Sequence, residues 1–349
     1  MPELFLEIGT EEIPSRFMSL ALDYLREEIP SFFKKNRIQA SEPRVVGSPR
    51  RLVISFDEVD YQQEDVVETH FGPNVKLAYD EEGNPTKSAI GFARGKGIDP
   101  SQLTREKTSK GEVVCARVEK IGQPTATILN DFFPNLIRNI PFPKKMRWGN
   151  REIPFVRPLH WIVALFGSKP LNFSYEGISC SDTSRGHRFM RSDFFKVNGI
   201  DDYLKSCEKH FLMIDPIVRK KSIVDQVTSL ANEVKGTVTL DPELLEEVTY
   251  LVEYPFAIRG NFEKRFLELP RELLITTMKH HQKYFPLENK HGDLLPYFIT
   301  ISNVQPGPGG EILRGNERVL RARLEDAQFF FDEDRKKKLE DFVELLKGV

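Results

Sequence analysis

The stretch ELFLEIGTEEIPSRFMSLALDYLREEIPSFFKKN (residues 3–36) joins the two patterns on which the fold class depends. Its first part, ELFLEIG (3–9), alternates in the way that predicts a β-strand. The residues that follow predict a helix start and then an amphipathic helix. Four apolar residues at helical spacing are expected on the buried face of this helix: Phe17, Leu20, Leu25 and Ile29.

Both patterns recur at irregular intervals over the rest of the 349 residues. Strand patterns are found at 49–61, 111–124, 161–167, 171–178 and 294–304, and helical patterns at 124–139, 214–235, 241–253, 269–285 and 315–347. Several neighbouring strands look like antiparallel hairpins. The sequence therefore predicts a multi-domain α+β fold, with mixed or antiparallel sheets and packed helices, rather than a doubly wound α/β fold.

Composition shifts along the chain indicate how it is divided. At roughly 100–200 residues per domain, the length suits two or three domains. We predict an N-terminal α+β segment that packs with residues 150–200, a small α+β insert, a larger α+β domain and the start of an all-α domain, at 1–64, 65–149, 150–305 and 315–349. The sequence PGPGG at 306–310 predicts a hinge before the last of these.

The composition is that of a soluble globular protein, with 40% hydrophobic residues, 29% charged residues and a formal net charge of −2. This balance excludes a cationic coat for nucleic acid over the whole surface but allows a local basic face. No apolar run reaches the length of about 18 residues that a membrane helix needs. Neither a secretory signal nor CxxC spacing of the three cysteines is present, so we expect a cytoplasmic protein without disulfides.

The sequence carries none of the common catalytic motifs. GFARGKG (91–97) lacks the order GxxxxGK[ST] of a phosphate-binding loop, and no GxGxxG follows a strand. Because no HxxxH or HExxH occurs, and the adjacent His280 and His281 would point about 100° apart on a helix, we expect no metal site. Cys180 lies in a polar segment near His187, which leaves a cysteine-dependent hydrolase as an alternative.

Six short clusters place Arg, Lys or His beside Gly, Pro or an aromatic residue. They are SPRR (48–51), PKKMRWG (143–149), FVRPLHW (155–161), SRGHRFMR (184–191), MKHHQKYF (278–285) and RGNERVLRAR (314–323). Cations neutralise phosphate, and aromatic rings and guanidinium planes stack on exposed bases. In a slightly acidic chain, these clusters indicate segregated positive charge, and RNA binding is one hypothesis that they allow. The alternative is an ordinary solvated surface, with Trp148 and Trp161 in the core.

The last cluster begins an amphipathic helix. Three arginines would share one face: Arg314, Arg318 and Arg321. Another face would carry Leu320, Leu324, Ala327 and Phe331. We expect the aromatic residues of this helix to lack a partner, because no later domain of the chain is present to cover them.

Longer motifs, in order along nearly the whole chain, resemble one known family. They are LFLEIGTEEIPSRF (4–17), SPRRL (48–52), KSAIGFARGKGI (87–98), KKMRWG (144–149), FVRPLHWIVALFG (155–167), TSRGHRF (183–189), EEVTYLVEYPFAIRGNF (246–262), LPRELLITTMKHHQKYFPL (269–287), YFITISN (297–303) and GNERVLRARLEDAQFFFDEDRK (315–336). The chain resembles the N-terminal half of the β subunit of bacterial heterotetrameric glycyl-tRNA synthetase.

This resemblance implies a division of labour between two subunits. The separate α subunit of an α2β2 enzyme would hold the active site and use ATP and magnesium, and this chain would bind no cofactor and carry no catalytic residue. The β subunit would bind tRNA-Gly, with residues 150–305 forming a domain of a tRNA-binding type. The helix from Gly315 would be the start of an HD-like helical domain that continues beyond residue 349.

The basic clusters then supply the expected contacts with tRNA, made mainly to the phosphate backbone. The expected residues are Arg50, Arg51, Lys144, Lys145, Arg147, Arg185, His187, Arg188, Lys279, His280 and Lys283. Two alternatives stay open at this point. One is a scaffold that holds the α subunit and barely touches RNA, and the other is an editing hydrolase that uses Cys180 and His187.

Overall fold

The computed structural model describes residues 1–109, 111–150, 152–336, 338, 340 and 343. Its strands are β1 (Leu4–Thr10), β2 (Arg44–Ser48), β3 (Arg51–Phe56), β4 (Val66–Asn74), β5 (Thr104–Thr108), β6 (Gly111–Lys120), β7 (Leu159–Phe166), β8 (Lys169–Pro170), β9 (Ser174–Tyr175), β10 (Ile178–Ser181), β11 (Thr183–Arg185), β12 (Phe194–Lys196), β13 (Phe256–Asn261), β14 (Phe285–Glu288) and β15 (Leu294–Ser302). Its α-helices are α1 (Ser15–Lys35), α2 (Val75–Ala78), α3 (Lys87–Gly95), α4 (Thr125–Asn139), α5 (Ile200–Lys209), α6 (Pro216–Glu233), α7 (Pro242–Thr249), α8 (Arg271–Thr276) and α9 (Glu311–Asp334). The predicted α+β class is confirmed.

Strand β1 lies inside the main sheet, whose strand order is β2-β3-β1-β7-β10-β9, with β8 beside β7. It is antiparallel to both neighbours, whereas β10 runs parallel to β7. Leu4, Leu6 and Ile8 face α1 and α4, and Phe5 faces α5 and β12 on the other side. Because side chains alternate along a strand, Glu7 and Gly9 share the face of Phe5. The carboxylate of Glu7 and a glycine at position 9 therefore lie in a buried layer.

Helix α1 covers the sheet with most of the predicted residues. Phe17, Leu25 and Ile29 are buried, but Leu20 is 41% exposed. At about 100° per residue, Leu20 lies some 60° to one side of Phe17, whereas Leu25 lies about 80° to the other. The additional buried residues Met18 and Leu22 extend the core face on the Leu25 side. The prediction for Leu20 is therefore wrong.

A second sheet, in the order β13-β15-β14, forms the centre of the later part of the chain. Helices α6 and α7 pack on one face of it. On the other face, Leu320 and Leu324 of α9 are buried, and Ala327 and Phe331 are partly buried. The expectation that the aromatic residues of this helix lack a partner is therefore wrong for Phe331. Phe329 is 60% exposed, as expected for the helix's aromatic residues.

Helix α9 begins at Glu311, four residues before the predicted start, and its described part ends at Asp334. The predicted continuation to 347 lies largely outside the described residues. A smaller sheet, β4-β6-β5, packs with α2 and α3 in the insert. The sequence assigned no strand to residues 66–74, because the apolar Val67 and Phe71 of β4 are exposed rather than buried. The predicted domain boundaries stay predictions.

Arg219 on α6 joins the later part of the chain to the main sheet. Its buried guanidinium donates to the carbonyl oxygens of Thr249 at 2.7 Å, Gly47 at 3.0 Å and Ile214 at 3.3 Å, and to that of Met213. Burial lowers its pKa to about 10, because these partners are neutral. The bond to Gly47 fixes α6 against β2.

Candidate RNA interface

Three of the six basic clusters meet at one end of the main sheet, around the indole ring of Trp161. Arg51 on β3 and Trp161 on β7 both pair with Gly9 of β1. A Cβ on Gly9 would lie 2.0 Å from Trp161 Cε2, so only glycine leaves room for this ring. The Cζ atoms of Arg50, Arg51 and Arg185 lie 5.7, 4.8 and 5.4 Å from the ring centroid. We call Gly9, Arg50, Arg51, Trp161 and Arg185 the Trp161 site.

Arg51 is fully buried within a network of ionic and polar partners. Its Nη1 donates to Glu7 Oε1 at 2.8 Å and its Nε to Glu253 Oε1 at 3.1 Å. It also donates to Ser184 Oγ and to the Gly186 carbonyl, both at 3.2 Å. Burial by itself would raise the pKa of Glu253, but attraction by the guanidinium groups outweighs it and lowers that pKa. The network ties β1 and β3 to the segments before β12 and β13.

His187 is buried as well, and both of its ring nitrogens have partners. The Nδ1 atom accepts from the backbone N–H groups of Phe189 at 3.2 Å and Met190 at 3.3 Å. The proton is therefore on Nε2, which donates to Asn303 Oδ1 at 3.1 Å. Asn303 Oδ1 also accepts from the backbone N–H of Glu253 at 2.7 Å. His187 thus fixes the 184–191 loop to the end of β15.

Two glutamates line the solvent side of the Trp161 site. Arg188 Nη1 lies 2.9 Å from Glu11 Oε2 and 3.0 Å from Glu12 Oε1. His160 Nε2 lies 2.8 Å from Glu11 Oε1. Burial would raise the pKa of Glu11, but its hydrogen bond with His160 and the nearby arginines lower it. Exposed ion pairs are weak, so Arg188 can exchange a carboxylate for another anion at little cost.

The 143–149 cluster lies away from the Trp161 site, beside the end of α4. Lys144, Lys145 and Arg147 are all exposed. Lys145 Nζ donates to the Arg138 carbonyl at 3.3 Å. Lys145 and Arg147 line a surface groove of about 480 Å³ that also includes Glu152.

The 278–285 cluster is partly neutralised by acidic residues at or in α7. Lys279 pairs with Asp241, and Lys283 Nζ lies 2.8 Å from Glu247 Oε2. His280 is exposed. This cluster therefore presents less free positive charge than its sequence suggests.

The 314–323 cluster behaves in a similar way. Arg314 Nη2 lies 3.4 Å from Glu311 Oε1, and Arg321 Nε lies 2.7 Å from Glu263 Oε1. Both arginines are exposed. Their ion pairs belong to the surface of α9 and add little stability.

The eleven predicted contact residues differ widely in exposure. Lys144, Lys145, Arg147, Arg188 and His280 are exposed, Arg185, Lys279 and Lys283 are half-buried, and Arg50, Arg51 and His187 are buried. Arg51 and His187 do not fit a direct phosphate contact in this geometry, because both lie in the interior with internal partners. Contact with RNA is untested for all eleven and stays a prediction.

Comparison with known proteins decides the family. The family model for the glycyl-tRNA synthetase beta subunit matches residues 4–349. The chain belongs to the glycyl-tRNA synthetase beta subunit family. The resemblance drawn from the motifs is therefore confirmed.

Curated relatives support the same assignment. A protein named Glycine--tRNA ligase beta subunit from Citrifermentans bemidjiense is 49% identical over 347 residues, which are 99% of this chain and 50% of that protein. One of the same name from Geobacter metallireducens is 45% identical over 349 residues, or 100% of this chain and 51% of that protein. The chain spans about half the length of the curated relatives it matches.

Cys180 and His187 do not form a catalytic pair. Cys180 pairs with Ile162 across β10 and β7 and packs on the α1 side of the main sheet. His187 lies on the opposite side, next to Gly186 and the Arg51 network. Burial raises the pKa of the Cys180 thiol to about 11. The geometry therefore gives no support to the hydrolase alternative.

Sequence reasoning missed the acidic residues around the Trp161 site. Trp161 is in the core, as predicted, but its ring also forms cation–π contacts with three guanidinium groups. Glu7 carries a usable signal, because a charged residue interrupts the apolar pattern of β1 at an inward position. Glu253 and Glu11 carry no such signal, since only the fold brings them to Arg51 and Arg188.

Two absences in the described residues bear on the chemistry of the chain. In the described part of the chain, no group of three or more His, Cys, Asp or Glu residues is arranged to hold a metal ion. Within those same residues, no helix is long and apolar enough to cross a membrane.

Proposed function

We propose that this chain is the tRNA-binding, non-catalytic portion of a glycyl-tRNA synthetase beta subunit. Its role is to support the attachment of glycine to tRNA-Gly by a separate alpha subunit in an α2β2 enzyme. The observation that carries this proposal is the family match over residues 4–349. Under this proposal the alpha subunit uses ATP and magnesium, this chain binds no cofactor, and the complex works in the cytoplasm.

Exposed cations that lack ion-pair partners are best placed to hold the tRNA backbone. Lys144 and Arg147 are exposed and form no salt bridge with any residue that the structure describes. Arg188 is 42% exposed and can exchange its two carboxylates for phosphate. Such contacts fix affinity and register, whereas sequence reading requires contacts with bases.

The test measures binding of tRNA-Gly to the 349-residue chain at several salt concentrations. Contact with roughly four to eight phosphates predicts a slope of about −4 to −7 for log affinity against log salt. The double variant Lys144→Glu, Arg147→Glu should weaken binding and make this slope shallower by about 2. The control Lys264→Glu changes an exposed lysine outside the six clusters. An affinity for tRNA-Gly that does not change with salt concentration would refute contact with the phosphate backbone.

The scaffold alternative has one observation in its favour. Arg188, Lys279 and Lys283 already have carboxylate partners, which reduces the positive charge available to RNA. Cross-linking of the complex with the alpha subunit and tRNA-Gly separates the two functions. Cross-links from the alpha subunit alone, with none from tRNA to the six clusters, would favour the scaffold.

A further inference from the structure

The three arginines around Trp161 are not equivalent. The guanidinium of Arg51 has four hydrogen-bond partners, whereas the guanidinium groups of Arg50 and Arg185 have no hydrogen bond to any described residue. The Nε atoms of Arg50 and Arg185 and the Trp161 Nε1 are buried N–H donors without an acceptor. Trp161 and Arg50 are only 5% and 6% exposed. Three buried N–H groups at the Trp161 ring therefore lack an acceptor.

The nearby carboxylates form no hydrogen bond with these three donors. Arg51 holds Oε1 of Glu7 and of Glu253, and the Oε2 atom of each is buried without a hydrogen-bond donor. Glu12 Oε1, which belongs to the ion pair with Arg188, lies 4.0 Å from Arg50 Nε, beyond hydrogen-bond distance. Burial lowers the pKa of Arg50 despite the attraction of Glu253, Glu11 and Glu12. Its guanidinium therefore has carboxylates nearby but forms no hydrogen bond with any of them.

Arg185 is held in place by aromatic rings rather than by a carboxylate. Its Cζ lies 5.4 Å from the Trp161 ring centroid and 4.9 Å from that of Phe194. Stacking against aromatic faces orients the guanidinium plane while its N–H groups stay available to an acceptor. Arg185 is only half-buried, so an anion can approach it from solvent.

We propose that the Trp161 site binds one phosphate group, held by Arg50 and Arg185, with Trp161 Nε1–H as a further donor. Phosphate oxygens match the planar fork of guanidinium, and a dianion or diester can accept from several donors at once. The phosphate is either part of an RNA backbone or free in solution. Only the first source rests on the proposed function.

The test uses the 349-residue chain with Trp148→Phe, so that Trp161 is its remaining tryptophan. Inorganic phosphate is titrated at constant ionic strength against sodium chloride, and the fluorescence of Trp161 is recorded. A saturable change specific to phosphate is expected. Arg185→Met and Arg50→Met should each weaken phosphate binding at least tenfold, because methionine keeps part of the packing but removes the donors.

The matched control is Arg117→Met, which removes the same charge from an exposed position on β6, outside the six clusters, and should leave phosphate affinity within twofold. Circular dichroism and thermal unfolding check that each variant is folded. If Arg185→Met proves unstable, Arg185→Lys keeps the charge but loses the bidentate geometry, and should still weaken binding. No phosphate-specific response, or wild-type affinity in the folded arginine variants, would overturn the proposal.

Adding tRNA-Gly identifies the source of the phosphate. Competition between tRNA and phosphate, with both weakened by Arg185→Met, supports a backbone phosphate. Phosphate binding without such competition supports free phosphate and leaves the Trp161 site standing. Salt-dependent tRNA binding with no phosphate response overturns the site but keeps the proposed function. Phosphate binding without any tRNA binding supports the Trp161 site but overturns the proposed function.

Discussion

Replacing Arg51 by methionine tests the central claim about the buried network. Methionine has similar length and can fill much of the space without supplying a charge or a donor. Glu7 and Glu253, which are 0% and 1% exposed, would then lose the cation between them. Ser48 Oγ, at 2.9 Å from Glu253 Oε1, would stay as a neutral partner of one carboxylate.

The expected cost is large because the change leaves two buried carboxylates with neutral partners only, Ser48 and Tyr203. Removing one partner of a buried ion pair costs about 3–5 kcal/mol in the free energy of unfolding. Arg51 has two carboxylate partners at 2.8 and 3.1 Å, so we expect the upper half of that range, about 4–5 kcal/mol, near neutral pH.

The cost should depend on pH with a defined sign. In the wild type, the pKa of Glu253 lies below its ordinary value, so its stabilising effect is present above pH 4.5 and is lost as pH falls through the folded pKa. Without Arg51, burial raises the pKa of Glu253. Protonation then removes the unpaired buried charge as pH falls, which reduces the loss of stability in the variant. The difference in stability between the two proteins should therefore be smaller at pH 5 than at pH 8.

The assay is urea unfolding followed by Trp161 fluorescence in the Trp148→Phe background, at pH 5 and pH 8. Arg147→Met provides the control for loss of a surface arginine and should shift the unfolding free energy by less than about 0.5 kcal/mol. A loss below 1 kcal/mol for Arg51→Met, or an equal loss at both pH values with unchanged urea dependence, would refute the reasoning.

Two other predictions address packing and reactivity. Gly9→Ala should cost about 1–3 kcal/mol and shift Trp161 fluorescence, because the new methyl group would lie 2.0 Å from the indole. The control Gly315→Ala adds its methyl group in open space on helix α9 and should stabilise the chain by about 0.5–1 kcal/mol; equal effects at both sites would contradict the packing argument. Cys180, whose pKa burial raises to about 11, should react slowly with iodoacetamide in the folded chain at pH 8 and much faster in urea. Peptide mass spectrometry measures this rate, and rapid native modification would show that the thiol is not protected.

Local patterns predicted much of the fold because they report local physics. The alternation in β1 and the periodicity in α1 mark faces that must be buried, and both elements form close to the predicted limits. Strand β4 was not predicted because VVETHF (66–71) does not alternate apolar and polar residues, and its apolar Val67 and Phe71 are exposed. A pattern predicts burial only where the apolar face is the inner one.

The candidate site was predicted less well because its partners are distant in the sequence. Arg51 was expected to face RNA, but Glu253, which lies 202 residues further along the chain, draws it into the core. An arginine in an exposed cluster and one in a buried network have the same local sequence signature. By contrast, the exposed placement of Lys144 and Arg147 agrees with their polar surroundings.

The span of the Arg51 network has a consequence for synthesis on the ribosome. At roughly 5–20 residues per second, Glu253 is made about 10–40 s after Arg51. During that interval Arg51 lacks its ion pair with Glu253. The carbonyl of Gly47 also lacks its hydrogen-bond donor Arg219, which lies 172 residues later. The first hairpin of the main sheet therefore stays incomplete until these residues are made, and it can bind chaperones or aggregate in that interval. Arg51 gains its second carboxylate partner only after Glu253 has been synthesised.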